Sequence, residues 1–218
     1  MNILFLTSNR VGDAVLSTGL LAWLVDNYPS ASFTVACGPY AANLFLATPR
    51  LKRLLILKKQ PWNGHWLDLW RACIGTRWDI IVDLRNSVVS RLLFAGKRYY
   101  GVRRAGAHKV LENAAALHLA ETPAPHIWLD ASAEAEAAKV LPTSSPVLAL
   151  GPAANWSAKQ WPIEHFATLA QKLTATGGPL ANASILVIAD KHEREQLIPL
   201  LQSIPDNCRI EHRPMRGR

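Results

Sequence analysis

Short apolar runs and stretches of helical spacing follow one another along the chain, the pattern of parallel βαβ units. Asn2 to Leu6 (NILFL) is a run of the kind that fills a strand buried on both faces. Thr7 to Gly12 is polar and ends in glycine, which predicts a tight turn that can bring backbone close to a ligand. Asp13 then starts a helix whose apolar residues Val15, Leu16, Leu20, Leu21 and Leu24 recur at helical spacing. Further strands are expected at Ser32 to Ala36, Leu51 to Leu57 and Asp79 to Leu84, with a weak fifth at Tyr99 to Val102. The helices between them fall at Tyr40 to Leu46, Trp66 to Ile74, Ser87 to Phe94 and Leu111 to Leu119. In an open sheet of this kind, the corner after the first strand is where ligands bind.

Thr122 to Pro125 alternates prolines, which stop helix and strand alike, and marks a linker. Residues 1–125 and 126–218 are therefore expected as separate domains. In the second, helices at Ala131 to Leu141, Pro162 to Thr176 and Glu193 to Ser203 alternate with strands at Pro146 to Leu150, Ser184 to Ile188 and from Arg209. Pro162 suits a first helical position, where a missing N–H does no harm. About two and a half βα units are too few for a sheet of usual size. The last strand would also present an open edge. The second series reads as the incomplete start of a domain, and the chain as truncated, frameshifted or otherwise partial.

Half of the 218 residues are hydrophobic, enough to bury a core. The longest apolar runs are too short to span a bilayer, and Met1 leads straight into the first strand without a secretory signal. Cys37, Cys73 and Cys208 are odd in number and far apart, which suggests reduced thiols in a cytoplasmic protein. The seven histidines show no pair at metal-ligand spacing, so no metal is expected. The net charge of +8 is uneven: residues 1–125 hold 15 Lys and Arg against 7 Asp and Glu, and residues 126–218 hold 9 of each. Either the first part has an anionic partner, or its charge keeps the surface solvated.

Two places offer chemistry. Asp13 could cap its helix, worth roughly 0.5–2 kcal/mol, or act as a catalytic carboxylate. No G-x-G-x-x-G accompanies it, so no nicotinamide or flavin cofactor is expected. Gly151 to Pro162 (GPAANWSAKQWP) joins a strand to a helix. Asn155 and Ser157 can donate hydrogen bonds, the helix start offers free N–H groups, and Lys159 adds a point charge suited to phosphate. The alternative for Lys159 is an ordinary surface lysine.

The segments ILFLTSNRVGDAVLSTGLLAWL, ALGPAANWSAKQWPIEHFATLAQKL and VIADKHEREQ, in this order and spacing, resemble glycosyltransferase family 9, the ADP-heptose:lipopolysaccharide heptosyltransferases. The K-x-W-P element followed by F-x-x-L-A-x-x-L carries most of the likeness, and R-x-G-D-x-(V/L) the rest. The resemblance implies an α/β fold of GT-B type, with one Rossmann-like N-terminal domain that receives the lipopolysaccharide inner core. A second Rossmann-like domain, here only begun, would hold the nucleotide-sugar. It implies inverting, metal-independent transfer from ADP-heptose by a cytoplasmic enzyme with no cofactor. Carried over by position, Asp13 would be the general base, Lys159 would contact the donor diphosphate, and Glu193 or Glu195 would sit near the nucleoside. Arg10, Gly12, Arg103, Arg104 and Lys109 are the expected acceptor contacts, because the inner core carries carboxylates and phosphates. Two features depart from the family: Gly151-Pro152 stands where Pro-Gly is common, and the later D-S-G-P-x-H element that grips the diphosphate is not within these residues. Without it the 218 residues are expected to bind the donor poorly and to transfer no sugar at a useful rate.

Trp62, Trp66 and Trp70 fall at i, i+4 and i+8 among Lys58, Lys59, Arg71 and Arg77. They could rest peripherally on the anionic inner membrane, though packing of the helix on the sheet is the preferred reading. Two rival functions remain at this point. One is an anionic-glycan-binding domain without catalysis. The other, a nucleic-acid binder, is disfavoured because the basic residues are scattered and no recognised module appears.

Overall fold

The structure, a computed structural model, describes residues 1–142, 145–154, 156–189, 191–205 and 209–210. It divides into two compact units, Met1–Leu129 and Asp130–Arg218.

The first unit is a five-stranded parallel sheet. Its strands are β1 (Asn2–Leu6), β2 (Ser32–Cys37), β3 (Leu51–Ile56), β4 (Trp78–Asp83) and β5 (Ala95–Tyr100), in the order β3-β2-β1-β4-β5. β1 is central and buried on both faces because its side chains alternate. Ile3 and Phe5 join one core cluster, and Leu4 and Leu6 the other. Helices α1 (Val11–Asn27) and α4 (Lys109–Ala116) cover the first face. Helices α2 (Gly64–Cys73) and α3 (Val89–Leu92) cover the second. Each fully buried Leu, Ile or Phe contributes about 1.5–3 kcal/mol relative to exposure, and all five residues of β1 except Asn2 are fully buried.

Several boundaries differ from those read in the sequence. α1 starts at Val11, not Asp13, with Arg10 at the N-cap and no side-chain cap bond. Gly12 is accordingly helical and is not the turn glycine; a Cβ there would meet open space. The fifth strand is Ala95–Tyr100, because its pairing with β4 begins at Trp78↔Ala95 and closes at Asp83↔Tyr100. Trp62 lies outside α2 with a left-handed backbone (φ 54) and is fully exposed, whereas Trp66 and Trp70 pack against the second core face. The three tryptophans thus form no single helical stripe. Thr122 to Pro125 lies on α1, with the Pro123 and Ala124 carbonyls above Gly19. His126 N–H donates to Thr18 Oγ1 at 3.0 Å, and Trp128 packs on the same core.

The second unit holds α5 (Ala131–Val140) and a three-stranded parallel sheet ordered β6-β7-β8. Its strands are β6 (Val147–Leu150), β7 (Ser184–Val187) and β8 (Arg209–Ile210). Helices α6 (Ile163–Thr174) and α7 (Ile198–Ser203) complete it, and Leu150, Ala170, Ile185, Leu200 and Ile204 form its core. Pro162 is the N-cap of α6, one step before the position expected for it. The helix expected from Glu193 is instead a 3-10 turn, Lys191–Leu197, with α7 starting only at Ile198. Pro199 explains the break, since proline cannot donate to an α-helical bond begun earlier.

Candidate functional site

β1 connects to β2 on one side and lies beside β4 on the other, so the strand order reverses between β1 and β4. At the carboxyl ends of β1, β4 and β5, where such a reversal opens a crevice, lies a cavity of about 560 Å³. Thr7 and Ser8 line it from the loop after β1, and Asp13 from the first turn of α1. Arg85 and Asn86 enter after β4, Gly101 to Arg103 after β5, and Lys109 and Asn113 from α4.

The walls are fixed by local bonds. Thr7 Oγ1 and Ser17 Oγ are 2.7 Å apart, and Ser17 Oγ donates to Ala14 O, tying the loop to α1. Asp13 is half-buried, and Ser8 Oγ stands 3.4 Å from its Oδ2. Asp83, fully buried at the end of β4, accepts from Arg85 N (2.9 Å), Ser87 N (2.7 Å) and Ser87 Oγ (2.6 Å). Asn86 adopts a left-handed backbone and donates to Gly101 O at 2.8 Å, joining the β4 and β5 loops. A Cβ on Gly101 would lie 2.7 Å from Leu84 O, so this closeness needs glycine. Asn113 Nδ2 donates to Leu16 O, holding α4 to α1.

Among the described lining residues Asp13 is the one carboxylate, facing three cations: Arg85, Arg103 and Lys109. Lys109 is partly neutralised by Glu112 at 2.9 Å. The Lys109 hydrogen bond, followed by that from Arg104 N, holds the Glu112 carboxyl below its usual range. Burial pushes the Arg85 pKa down, with Asp83 opposing. The balance favours an anionic ligand carrying a hydroxyl that could donate its hydrogen bond to Asp13.

Of the expected acceptor contacts, the structure brings Arg103 and Lys109 into the cavity with Asp13. Arg10, Gly12 and Arg104 are exposed and do not line it. Asp13 is no N-cap, since that position is Arg10. Sequence reading missed Arg85, Asn86, Asn113 and the buried Asp83. A signal for the first two existed: they are the first polar residues past a buried strand, the place where a switch-point ligand would be met.

In the second unit, a cavity of about 210 Å³ lies between the Gly151 loop and the start of α6. Pro152, Ala153, Gln160, Trp161, Pro162, Ile163, Gln196 and Leu197 line it. Gln160 Nε2 donates to Ala154 O at 2.8 Å, bracing the loop. Lys159 ends a 3-10 turn, Ser157–Lys159, and is exposed, its Nζ 5.9 Å from the Trp156 ring centre. It does not line the cavity. Ser157 opens that turn, and Asn155 lies outside the described residues. Glu193, half-buried, and Glu195, exposed, sit in the 3-10 turn whose last residues, Gln196 and Leu197, line the cavity. Among the described residues no cluster of three His, Cys, Asp or Glu is placed to hold a metal, and no helix is long and apolar enough to cross a membrane.

Residues 66–209 match the family model of glycosyltransferase family 9 (heptosyltransferase). No curated protein matches the chain. Among solved structures, the chain is similar to the glycosyl transferase family 9 protein from Veillonella parvula DSM 2008. The TM-score is 0.74 at 17% identity, over 92% of this chain and 66% of that one. It is similar to E. coli heptosyltransferase WaaC with ADP-2-deoxy-2-fluoro heptose, with TM-score 0.67 at 16% identity over 100% of this chain and 78% of that one. It is also similar to E. coli ADP-heptose lps heptosyltransferase II, with TM-score 0.70 at 18% identity over 96% and 72%. The α/β fold with parallel sheets is thus the one these structures share, and at such identities the likeness is one of fold.

Proposed function

We propose, on the premise that the chain belongs to glycosyltransferase family 9, that it serves an inverting, metal-independent transfer of heptose from ADP-heptose to the lipopolysaccharide inner core. The observation that carries the reading is Asp13, the one carboxylate among the described residues lining a cationic cavity at the switch point. In the transfer an acceptor oxygen attacks the anomeric carbon while the bond from that carbon to the diphosphate oxygen breaks. The hydroxyl proton passes to the Asp13 carboxylate, and ADP departs. A base in the first turn of a helix suits the dipole there and takes its proton late, as the sugar leaves.

The cations Arg103 and Lys109 would hold the acidic acceptor; Arg10, Gly12 and Arg104, which do not line the cavity, would meet only parts of the acceptor that extend beyond it. For the donor, Lys159 and the uncapped start of α6 would meet the diphosphate. Asn155, Ser157 and Glu193 or Glu195 would contact the rest of the nucleotide-sugar. The acceptor is lipid-linked and its donor cytoplasmic, so the reaction belongs on the cytoplasmic side of the inner membrane, with peripheral contact there.

The test is transfer from ADP-heptose to deacylated inner core, read by mass spectrometry of the acceptor. The 218 residues alone are expected to give little product, so the Asp13 variants are compared in a chain continued through a D-S-G-P-x-H element. Asp13→Asn keeps shape and cannot take the proton, so product should fall by about 10²–10⁴-fold. Undiminished turnover in Asp13→Asn would sink the base assignment. Acidic-glycan binding with no product even in the continued chain would move the reading to the rival, a glycan-binding domain without catalysis.

A further inference from the structure

Arg85 lines the cavity beside Asp13, yet nothing on its side chain is built like an ion pair. Its guanidinium lies over the Trp66 ring, 4.5 Å from carbon to ring centre, and Nη1 donates to Asn9 Oδ1 at 3.1 Å. Among the described residues no carboxylate stands within ion-pair distance of it. A guanidinium has five N–H donors in a planar fork, and here one is met by a neutral amide.

The other basic side chains around the site are spent or loose. Lys109 is paired with Glu112, while Arg103 and Arg104 are exposed. Arg98, on the neighbouring strand, gives its nitrogens to the carbonyls of Ser90, Leu93 and Ala95. Arg85 alone among these is half-buried with no carboxylate or carbonyl partner, among the described residues, for its remaining donors. Its backbone is also locked: Asp83 accepts from Arg85 N and pins the next turn through Ser87. The Trp66 face restricts the plane of the fork, so little ordering remains to be done when a ligand arrives.

We propose that Arg85, over the face of Trp66 and braced by Asn9, is the principal anion receptor of this cavity, ahead of Arg103 and Lys109. It takes a carboxylate or phosphate of the acceptor while Asp13 faces the reacting hydroxyl. This rests on the reading of the cavity as the acceptor site, and it makes Arg85 a specificity-determining residue. A planar fork matches a carboxylate in two parallel hydrogen bonds, and a phosphate equally well in charge.

The test needs no donor. The full chain is titrated with glucuronate, glucose 6-phosphate and glucose, and binding is followed by ligand-observed NMR. The wild type should bind at least one of the two acids about tenfold more tightly than glucose, and which acid is preferred identifies the anion. Arg85→Ala should erase the preference, with the near-ultraviolet circular dichroism unchanged. Arg85→Lys, which keeps charge and loses the fork, should lose a carboxylate preference and keep part of a phosphate preference. If Arg85→Ala does not fold, Arg85→Lys decides alone: an unaltered preference for a carboxylate, or a phosphate preference undiminished, overturns the proposal. Equal binding of acidic and neutral sugars by the wild type overturns it too, as does an acid preference that survives Arg85→Ala. The two readings fail separately. Arg85-dependent acid binding without sugar transfer even in the continued chain keeps this proposal and removes the transferase, whereas Asp13-dependent transfer with acid preference intact in Arg85→Ala does the reverse.

Discussion

Gly19 sits in the middle of α1, where propensity alone says alanine would be better by about 1 kcal/mol. The structure reverses that sign. A Cβ at Gly19 would lie 2.3 Å from Ala124 O, 2.6 Å from Pro123 O and 2.7 Å from the Ala124 carbonyl carbon, all of them backbone atoms. An ordinary carbon–oxygen contact is about 3.3 Å, so the covering segment must lift by about 1 Å. Lifting it stretches the bond from His126 N to Thr18 Oγ1 (3.0 Å), worth about 0.5–1.5 kcal/mol, and strains the packing of Trp128. Overpacking of this kind costs about 1–3 kcal/mol. Set against the propensity gain, Gly19→Ala should destabilise the first unit by about 1–3 kcal/mol, a fall of roughly 3–15 °C in Tm. Urea denaturation of the full chain measures the free energy, and hydrogen exchange at the His126 amide should quicken. Gly75→Ala is the control, because a Cβ there meets nothing within 4 Å. A Gly19→Ala protein as stable as wild type, with slow exchange at His126, would refute the reasoning.

Three further outcomes are expected. Asp83→Asn loses acceptor strength toward three donors in a fully buried place and should cost about 2–3 kcal/mol in urea denaturation; a loss below about 0.5 kcal/mol would show the loop to be held by other means. Burial pushes the Cys37 thiol up to about 12 and the Cys73 thiol up to about 11, from an ordinary value of 9.0. In a Cys208→Ser background both should resist thiol reagents at pH 8 until the chain is unfolded. Unfolded thiols ionise above pH 9 while the folded ones stay protonated. Stability should therefore fall between about pH 9 and 11, by about 1.4 kcal/mol per pH unit for each thiol; rapid native labelling would contradict this. His65 is buried, and burial, then Arg85 and Lys59, lower its pKa. The unfolded state binds a proton that the folded state refuses, so stability should drop as pH falls below about 6.5. His65→Phe should flatten that slope in urea titrations at pH 7 and 5, and identical slopes would assign it elsewhere.

The sheet of the first unit was largely legible because its strands are apolar runs, and NILFL can be buried on both faces only in the middle of a parallel sheet. The fifth strand starts four residues before the position its local pattern indicates. AGKRYY has no apolar alternation, and its position follows from register with β4, which no local window contains. Asp13 stands out by its place at the corner after the first strand and takes its role from the family resemblance, while Arg103 and Lys109 stand out as basic residues beyond the fifth strand. Arg85 does not: its surroundings are Trp66 and Asn9, the latter 76 residues earlier, and only the fold brings them together. α1 begins two residues before Asp13, because a polar loop and a first helical turn look alike when glycine stands among them. The break before α7 follows from Pro199, a cue the sequence itself carries.

The central place of β1 also dictates a timetable. It is made first, yet one of its two edges is closed only by β4. A ribosome adding roughly 5–20 residues per second takes roughly 2–9 s to go from the end of β2 at Cys37 to the end of β4 at Asp83. Throughout that interval Ile3, Leu4, Phe5 and Leu6 would emerge with an open flank and unpaired N–H and C=O groups, the species that holding chaperones recognise. Synonymous codons that lengthen the wait between β2 and β4 should therefore lower the yield of folded protein more than the same delay placed after β5.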